Sequence, residues 1–456
     1  MENKQTKRGF VQRKDSNMKD QSIKQGFAYR EDNSIKNQSI KQSFAHHKGS
    51  NTIAQATKQS FMKHKDNHIT ARPIKRGFAL EGGGAKGSYH MGVCKAYIES
   101  GYEFHGVVGT SIGAINAVMI ASGEFDKALE LWETVGVEHL FDQEFLDILK
   151  LDQGFTGNVT TALKKLVTDR GVDHSRIKEF LASYIDEEKV RASGIDFGLV
   201  TFSLSERKPY EIFLKDIPDG KLVDYILASA KLPIFTPLHL DDNRFIDGGI
   251  TNSCPINMLI DQGYDEIVAI RTKSFGVFRR YDKNANVIVI ETDEHLGHVL
   301  EFSANNAKLN IKRGYCDGLR AIQKLTGHHY YLRDASLQLV VQKLFNITED
   351  DLEAVSYFSR EIGEKKRILF ERVIPDIGEY LRLDKNFTYK ELVLEMLEFV
   401  ALRKEIERFE VYDFDDFCDL VKNTPTPKSD NLLSKVGFDF SEKRSILVEE
   451  IAKLLI

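Results

Sequence analysis

The chain has 456 residues, 42% of them hydrophobic and 29% charged, with a formal net charge of −5. This length and apolar content allow two or three domains with a sizeable core and exclude a wholly disordered chain. Four scattered cysteines (Cys94, Cys254, Cys316 and Cys418) without Cys-x-x-Cys spacing argue against a disulfide framework or a cysteine zinc site and fit a reducing compartment.

The first segment, residues 1–74, stands apart from the rest. Residues 1–70 hold 14 Lys and Arg against 6 Asp and Glu, a net of +8, so the remainder carries −13. A Lys-x-x-Phe unit recurs every 17 residues, at Lys7, Lys24, Lys41, Lys58 and Lys75. Each unit offers about one aromatic and one or two aliphatics, too little apolar surface to offset backbone ordering. The arm is therefore expected to be unfolded, as tandem copies of the lead-in to the first core strand. The rival reading is a row of Lys/Phe anchors for an anionic membrane or a partner. No secretory signal is visible at the N-terminus. The uncharged run Gly106–Gly123 is too rich in Gly, Ser, Thr and Asn to span a membrane. A cytoplasmic protein with peripheral membrane contact is expected, with no nucleic-acid partner; the oligomeric state is open.

From Arg76 the pattern is that of an α/β domain. A short apolar run (Gly77–Leu80) ends in Glu81-Gly82-Gly83-Gly84-Ala85-Lys86-Gly87, and a helical stretch follows to about Ser100. A second run (Phe104–Val108) ends in Gly109-Thr110-Ser111-Ile112-Gly113, followed by a helical stretch at Ala114–Ser122. Strand, glycine turn and helix, repeated, predict a parallel sheet covered by helices. Asp126–Ser193 reads as helices, then Asp196–Leu204, Pro209–Leu214, Glu266–Arg271 and Val287–Glu291 as strands. Beyond Glu301 the chain reads as helix almost throughout, including Asp350–Phe370 and Tyr389–Arg408. The expected organisation is an arm at 1–74, an α/β domain at 75–330 and a helical domain at 331–456.

Three turns carry candidate chemistry. The loop Gly82–Gly87 fits the spacing of a dinucleotide fingerprint, although Lys86 precedes Gly87, unlike a Walker loop. Its adjacent glycines expose N–H groups at a helix N-terminus, which can hold a phosphate or the oxyanion of an acyl intermediate. Gly109–Gly113 fits Gly-x-Ser-x-Gly between a strand and a helix, the context of a nucleophile elbow in which the Ile112 N–H joins the oxyanion hole. Asp247-Gly248-Gly249 ends an apolar run, and alone it reads as an Asx-turn. The stretch Thr251–Ile256 that follows reads as extended.

Taken in order, these motifs resemble the patatin-like phospholipase family, in its bacterial, neuropathy-target-esterase-like form. Gly82–Gly87 is similar to the family's oxyanion motif, Gly109–Gly113 to its serine motif and Asp247–Gly249 to its aspartate motif. Ala228-Ser229-Ala230-x-Leu232-Pro233 and the strand Asp196–Phe202 are also similar to family segments. The resemblance covers about residues 75–290, and Lys86 stands where many members have Arg. It implies a three-layer α/β domain with a mostly parallel central sheet. It implies a calcium-independent lipid acyl hydrolase with a Ser111–Asp247 dyad and an oxyanion hole from Gly82, Gly83, Gly84 and Ile112. Lys86, Gly87, Gly109, Gly113, Gly248 and Gly249 would support these motifs, with no cofactor and no metal required. The substrates it implies are phospholipids or lysophospholipids, with other acyl esters or transfer to an alcohol as alternatives. Two other readings compete: a Ser–Asp–His triad using His295 or His298, and a nucleotide-binding module built on Gly82–Gly87.

Overall fold

The computed structural model describes residues 72–140, 175–231, 238–240, 243–334, 336–361, 363–427 and 442–456. The repeat arm, the middle of the 126–193 insert and residues 232–237 of the segment before Asp247 lie outside the described residues. Residues 73–456 form one compact unit.

The sheet contains β1 (Arg76–Leu80), β2 (Gly106–Thr110), β3 (Asp196–Ser203), β4 (Lys208–Phe213), β5 (Leu238–Leu240), β6 (Asn243–Asp247), β7 (Glu266–Ile270) and β8 (Val287–Ile290). Its order is β5-β6-β3-β2-β1-β7-β8, with β4 also on β3. β8, β7, β1, β2 and β3 run parallel. β4 and β6 are antiparallel to β3, and β5 is antiparallel to β6.

Side chains alternate across a strand, so a sheet covered on both faces needs strands that are apolar throughout. That is the case here. Phe78, Leu80, Val107, Phe197, Leu199, Val268 and Ile270 enter one buried cluster. Their neighbours Ala79, Val108, Val200, Ile267 and Ala269 enter another, on the opposite face. The first face is covered by α1 (Ser88–Glu99), α2 (Ile112–Ala121), α3 (Phe125–Thr134), α4 (Ser175–Tyr184), α5 (Leu222–Ser229) and α7 (Ala304–Gln323). The second is covered by α6 (Ile256–Asp261) and the segment holding Phe278 and Tyr281. Three layers result, as the resemblance implies.

The stretch Thr251–Ile256, expected to be extended, instead turns into α6, with Pro255 as its N-terminal cap residue. Proline is well suited to a helix start, because the amide it lacks has no intrahelical partner there. Helix α7 belongs to the α/β layer rather than to the helical region beyond it. It packs on α1 so closely that a Cβ on Gly92 would stand 2.0 Å from the Ile311 carbonyl oxygen. Between the two helices, the Tyr89 hydroxyl donates to Asp317 (2.7 Å) in the buried interior.

Beyond α7 a second apolar cluster is built by α8 (Leu337–Asn346), α9 (Tyr389–Arg403), α10 (Phe414–Asn423), α11 (Glu442–Leu455) and the turns between them. The all-helix expectation needs two corrections here. β9 (Tyr331–Arg333) and β10 (Val411–Asp413) pair in parallel, three residues each and too short to show a periodicity. Asp350–Phe370 is not one helix. A capping box at Thr348 starts a short helix, Glu349–Glu353. Gly363, at φ 131°, then breaks the chain before Lys365–Ile368 and a π-helical turn at Leu369–Val373. Helix α9 is the clean case: a Thr388/Glu391 capping box opens it, and Leu392, Val393, Met396, Leu397 and Val400 are buried along it.

Candidate active site

Strand β3 sets the register of the site. Its Val200 pairs with Thr110 at the end of β2, and its next residue, Thr201, pairs with Asp247 at the end of β6. Strand β4 occupies the other edge of β3 over these residues, so β2 and β6 share one edge and meet end to end. Ser111, which follows Thr110, is thereby brought to Asp247 across 136 positions of sequence.

Ser111 lies at φ 57°, ψ −126°, outside the regions open to an ordinary L-residue. Such a backbone is strained by ~1–3 kcal/mol and persists only where its surroundings enforce it. Two enforcing contacts are visible. The Ser111 N–H donates to Ser229 Oγ (3.0 Å), which donates in turn to the Val200 carbonyl (2.6 Å). The turn also closes tightly, since a Cβ on Gly109 would stand 2.2 Å from the Gly113 carbonyl carbon. Helix α2 starts immediately afterwards, leaving the Ile112 N–H at its first turn.

Asp247 is 5% exposed. Its Oδ1 accepts the Gly249 N–H (2.8 Å), and its own N–H donates to the Lys231 carbonyl (2.7 Å). Burial pushes its carboxyl up to about 6, while hydrogen bonds from Ser111 and the Gly249 N–H pull the other way. His295 and His298 are exposed and are not among these partners; their rings stand 5.3 Å from each other.

The glycine loop adjoins the serine turn, with a Cβ on Gly82 falling 3.5 Å from Ser111 Cβ. One expectation is corrected here. The Gly82 N–H donates to the Ser253 carbonyl (2.9 Å), so this amide is not available to an oxyanion. Gly84, at φ 57°, shares a cavity with Ser111 and Ile112. A side chain at Gly84 would strike the Val299 carbonyl oxygen, 2.1 Å from the Cβ position. Lys86 is partly buried in the short helical turn Gly84–Gly87, and the Gly87 carbonyl accepts from Asn116 Nδ2 (2.8 Å). Gly248 packs against Val200, with 2.4 Å between its Cβ position and the Val200 carbonyl oxygen.

Apart from Ser111 and Asn116, the cavity wall is apolar. Leu131, Trp132, Leu140, Phe180, Leu181 and Phe302 line it, so the described helices of the 126–193 insert do wall the site. Trp132 stacks on Phe302 at 6.1 Å and donates from Nε1 to Asn116 Oδ1 (2.9 Å), which fixes its ring against the cavity. Such a wall suits an acyl chain and offers a nucleotide few polar groups.

Sequence reasoning missed two positioning residues. Ser229 stood inside a recognised segment, but its bond to Ser111 depends on the α5–β3 packing. Glu81 precedes the glycines and is 1% exposed. Its carboxylate accepts the Thr272 N–H (2.7 Å) and the Ser253 hydroxyl (3.3 Å), tying the loop to the turns after β7 and β6.

Residues 78–260 match the patatin-like phospholipase family model. The chain carries a patatin-like phospholipase domain. With it the chain falls among lipid-hydrolysing enzymes. It is 23% identical over 217 residues to a probable lipid hydrolase of Invertebrate iridescent virus 6, covering 45% of this chain and 71% of that protein. It is 26% identical over 195 residues to a lysophospholipase NTE1 of Mycosarcoma maydis, covering 42% of this chain but only 9% of that much longer protein. Among solved structures, VipD from Legionella pneumophila is similar at 14% identity and a TM-score of 0.37, with 84% of this chain and 92% of that chain covered.

Proposed function

We propose that this patatin-like domain is a calcium-independent serine hydrolase that cleaves acyl esters of phospholipids or lysophospholipids through a Ser111–Asp247 dyad. The observation that carries the reading is the strained Ser111 at a strand-to-helix turn, beside a buried carboxylate and facing an apolar cavity. Asp247 takes the Ser111 proton as Oγ attacks the ester carbonyl, and the C–O π bond opens to an oxyanion. The N–H groups of Gly83, Gly84 and Ile112 would stabilise that charge. Collapse expels the alcohol, which takes the proton from Asp247. A water molecule then repeats the sequence on the acyl-serine, releasing the fatty acid. A carboxyl held near 6 is a better base than a solvated aspartate and is still ionised at neutral pH. Lipid hydrolase and lysophospholipase relatives support the substrate class.

Peripheral membrane contact fits the segment after β7. Phe275 is 100% exposed and Val277 51% exposed. Val277 is bonded in both directions to the catalytic turn, its N–H to the Gly249 carbonyl (2.9 Å) and its carbonyl to the Ser253 N–H (2.8 Å). An apolar tip so close to Asp247 would dock the site on a lipid surface. Among the described residues no helix is long and apolar enough to cross a membrane.

The test is incubation with phospholipid, lysophospholipid and triacylglycerol in calcium chelator, with released fatty acid measured by mass spectrometry. Release by the wild type and none by a folded Ser111→Ala is expected. Equal release by both would overturn the reading.

A further inference from the structure

A second pocket, sharing no lining residue with the Ser111 cavity, lies where the turn after α7 meets α9. Glu398 on α9 is fully buried. Its two oxygens accept the N–H groups of His328 (3.0 Å to each), His329 (3.1 Å) and Tyr330 (3.0 Å). Gly327, at φ 95°, makes the approach possible, because a Cβ there would stand 2.4 Å from Glu398 Oε1. The turn is thus held rigidly with two consecutive histidines on it, their rings 4.4 Å apart.

One helical turn before Glu398, Glu395 faces the same place. One ligand atom each of His328, His329 and Glu395 lies within 4.8 Å of the other two. Donors around a tetrahedral zinc ion stand roughly 3.3 Å apart, so modest side-chain rotations would close the set. Glu395 is only 15% exposed, and among the described residues its one ion-pair partner is His328 (3.7 Å). The other charges acting on it are the carboxylates of Glu398 and Glu391. Burial and these two carboxylates push its carboxyl up to about 8, so near neutral pH it holds a proton that a bound cation would displace. Two guanidinium groups lie nearby and are tied to other acceptors: Arg408 donates to the His329 carbonyl (3.4 Å) and pairs with Glu294 (2.6 Å), and Arg320 donates to the His328 carbonyl (3.3 Å). Asp293 stands 3.9 Å from His328 Nε2, placed to orient that ring. The pocket in front, about 410 Å³ and lined by Asp384, Lys390 and Glu391 among others, leaves room for a water as fourth ligand.

We propose that His328, His329 and Glu395 form a binding site for a zinc-class divalent cation that pins the turn after α7 to helix α9, apart from the Ser111 site. Two imidazoles and one carboxylate favour zinc, cobalt or nickel over magnesium and calcium, which prefer all-oxygen shells.

The test uses the full chain, stripped with chelator and desalted, then titrated with Zn²⁺ against a chromophoric chelator. Wild type, His328→Ala and Glu395→Gln are compared, with Mg²⁺ and Ca²⁺ as controls and thermal unfolding as a second readout. His328 is more than half exposed, so its alanine variant tests the site without disturbing the core. The wild type should bind one more zinc than either variant, or bind it at least ~10-fold more tightly. Zinc should also raise its unfolding temperature more than theirs. Equal stoichiometry and equal thermal response in folded variants would overturn the proposal, as would an equal response to Mg²⁺ or Ca²⁺.

Discussion

Asp247 and Glu398 are both buried carboxylates, and the proposed mechanism gives them opposite work. Glu398 accepts backbone N–H groups from three consecutive residues, a satisfied anchor for a turn. Asp247 accepts one backbone N–H and lies beside the hydroxyl of a strained serine that opens on an apolar cavity. Burial does not separate a working carboxylate from a structural one. The difference lies in whether a donor can give up its proton. A backbone amide cannot, and a serine hydroxyl can.

The largest effect that would sharpen this contrast is Asp247→Asn. Turnover should fall by ~10⁴-fold or more, because an amide cannot take the serine proton. The same change should stabilise the fold. Holding a carboxyl near 6 rather than at its ordinary 3.8 disfavours the folded anion. That penalty is absent below pH 3.8, grows up to pH 6 and reaches ~3 kcal/mol above it. Asp247→Asn should therefore unfold at a higher temperature than wild type at pH 8, with a gain that shrinks toward pH 4. A lower melting temperature at pH 8 would contradict the assignment.

Gly84→Ala comes next. With φ 57° and the Val299 carbonyl 2.1 Å from the new Cβ, the loop must shift. A fall of ~10²–10³-fold in kcat is expected from a displaced oxyanion donor. Unchanged kcat would remove Gly84 from the hole. A smaller effect is the pH dependence of the wild type. The base acts as its anion, so kcat/KM should drop about tenfold per pH unit below 6 and level off above it. A limb near pH 4 would mean an unperturbed carboxylate.

Glu398→Ala is the counterpart in the other region and should leave kcat nearly unchanged. It orphans the buried Tyr330 N–H, at a cost of ~1–3 kcal/mol, and the part-buried N–H groups of His328 and His329, so unfolding should occur at a clearly lower temperature. A folded, equally stable variant with lost turnover would erase the distinction.

Much of the α/β layer was legible in the sequence, because strands buried on both faces must be apolar throughout. The runs before Glu81 and Ser111 show it, with boundaries displaced by a residue or two. The strand-to-helix turn at Ser111 was legible because it requires glycines at fixed offsets. Asp247 was not legible on its own: Asp-Gly marks countless turns, and its meaning depends on β6 meeting β2 end to end along β3. Gly82 was misassigned because sequence does not tell which amide of a glycine run already has an acceptor. In the C-terminal region the amphipathic pattern of 350–370 concealed three breaks, and the β9–β10 pair joins segments 80 residues apart. The roles of Glu398 and Ser229 likewise exist only once distant segments pack.

The central proposal is that Asp247 alone activates Ser111. Labelling with a fluorophosphonate probe, followed by mass spectrometry of the modified residue, tests this most directly. The wild type should be labelled at Ser111, at a rate that falls below pH 6. His295→Ala and His298→Ala should label at the wild-type rate, and Asp247→Asn should hardly label. Labelling that persists in Asp247→Asn, or that requires either histidine, would contradict the dyad.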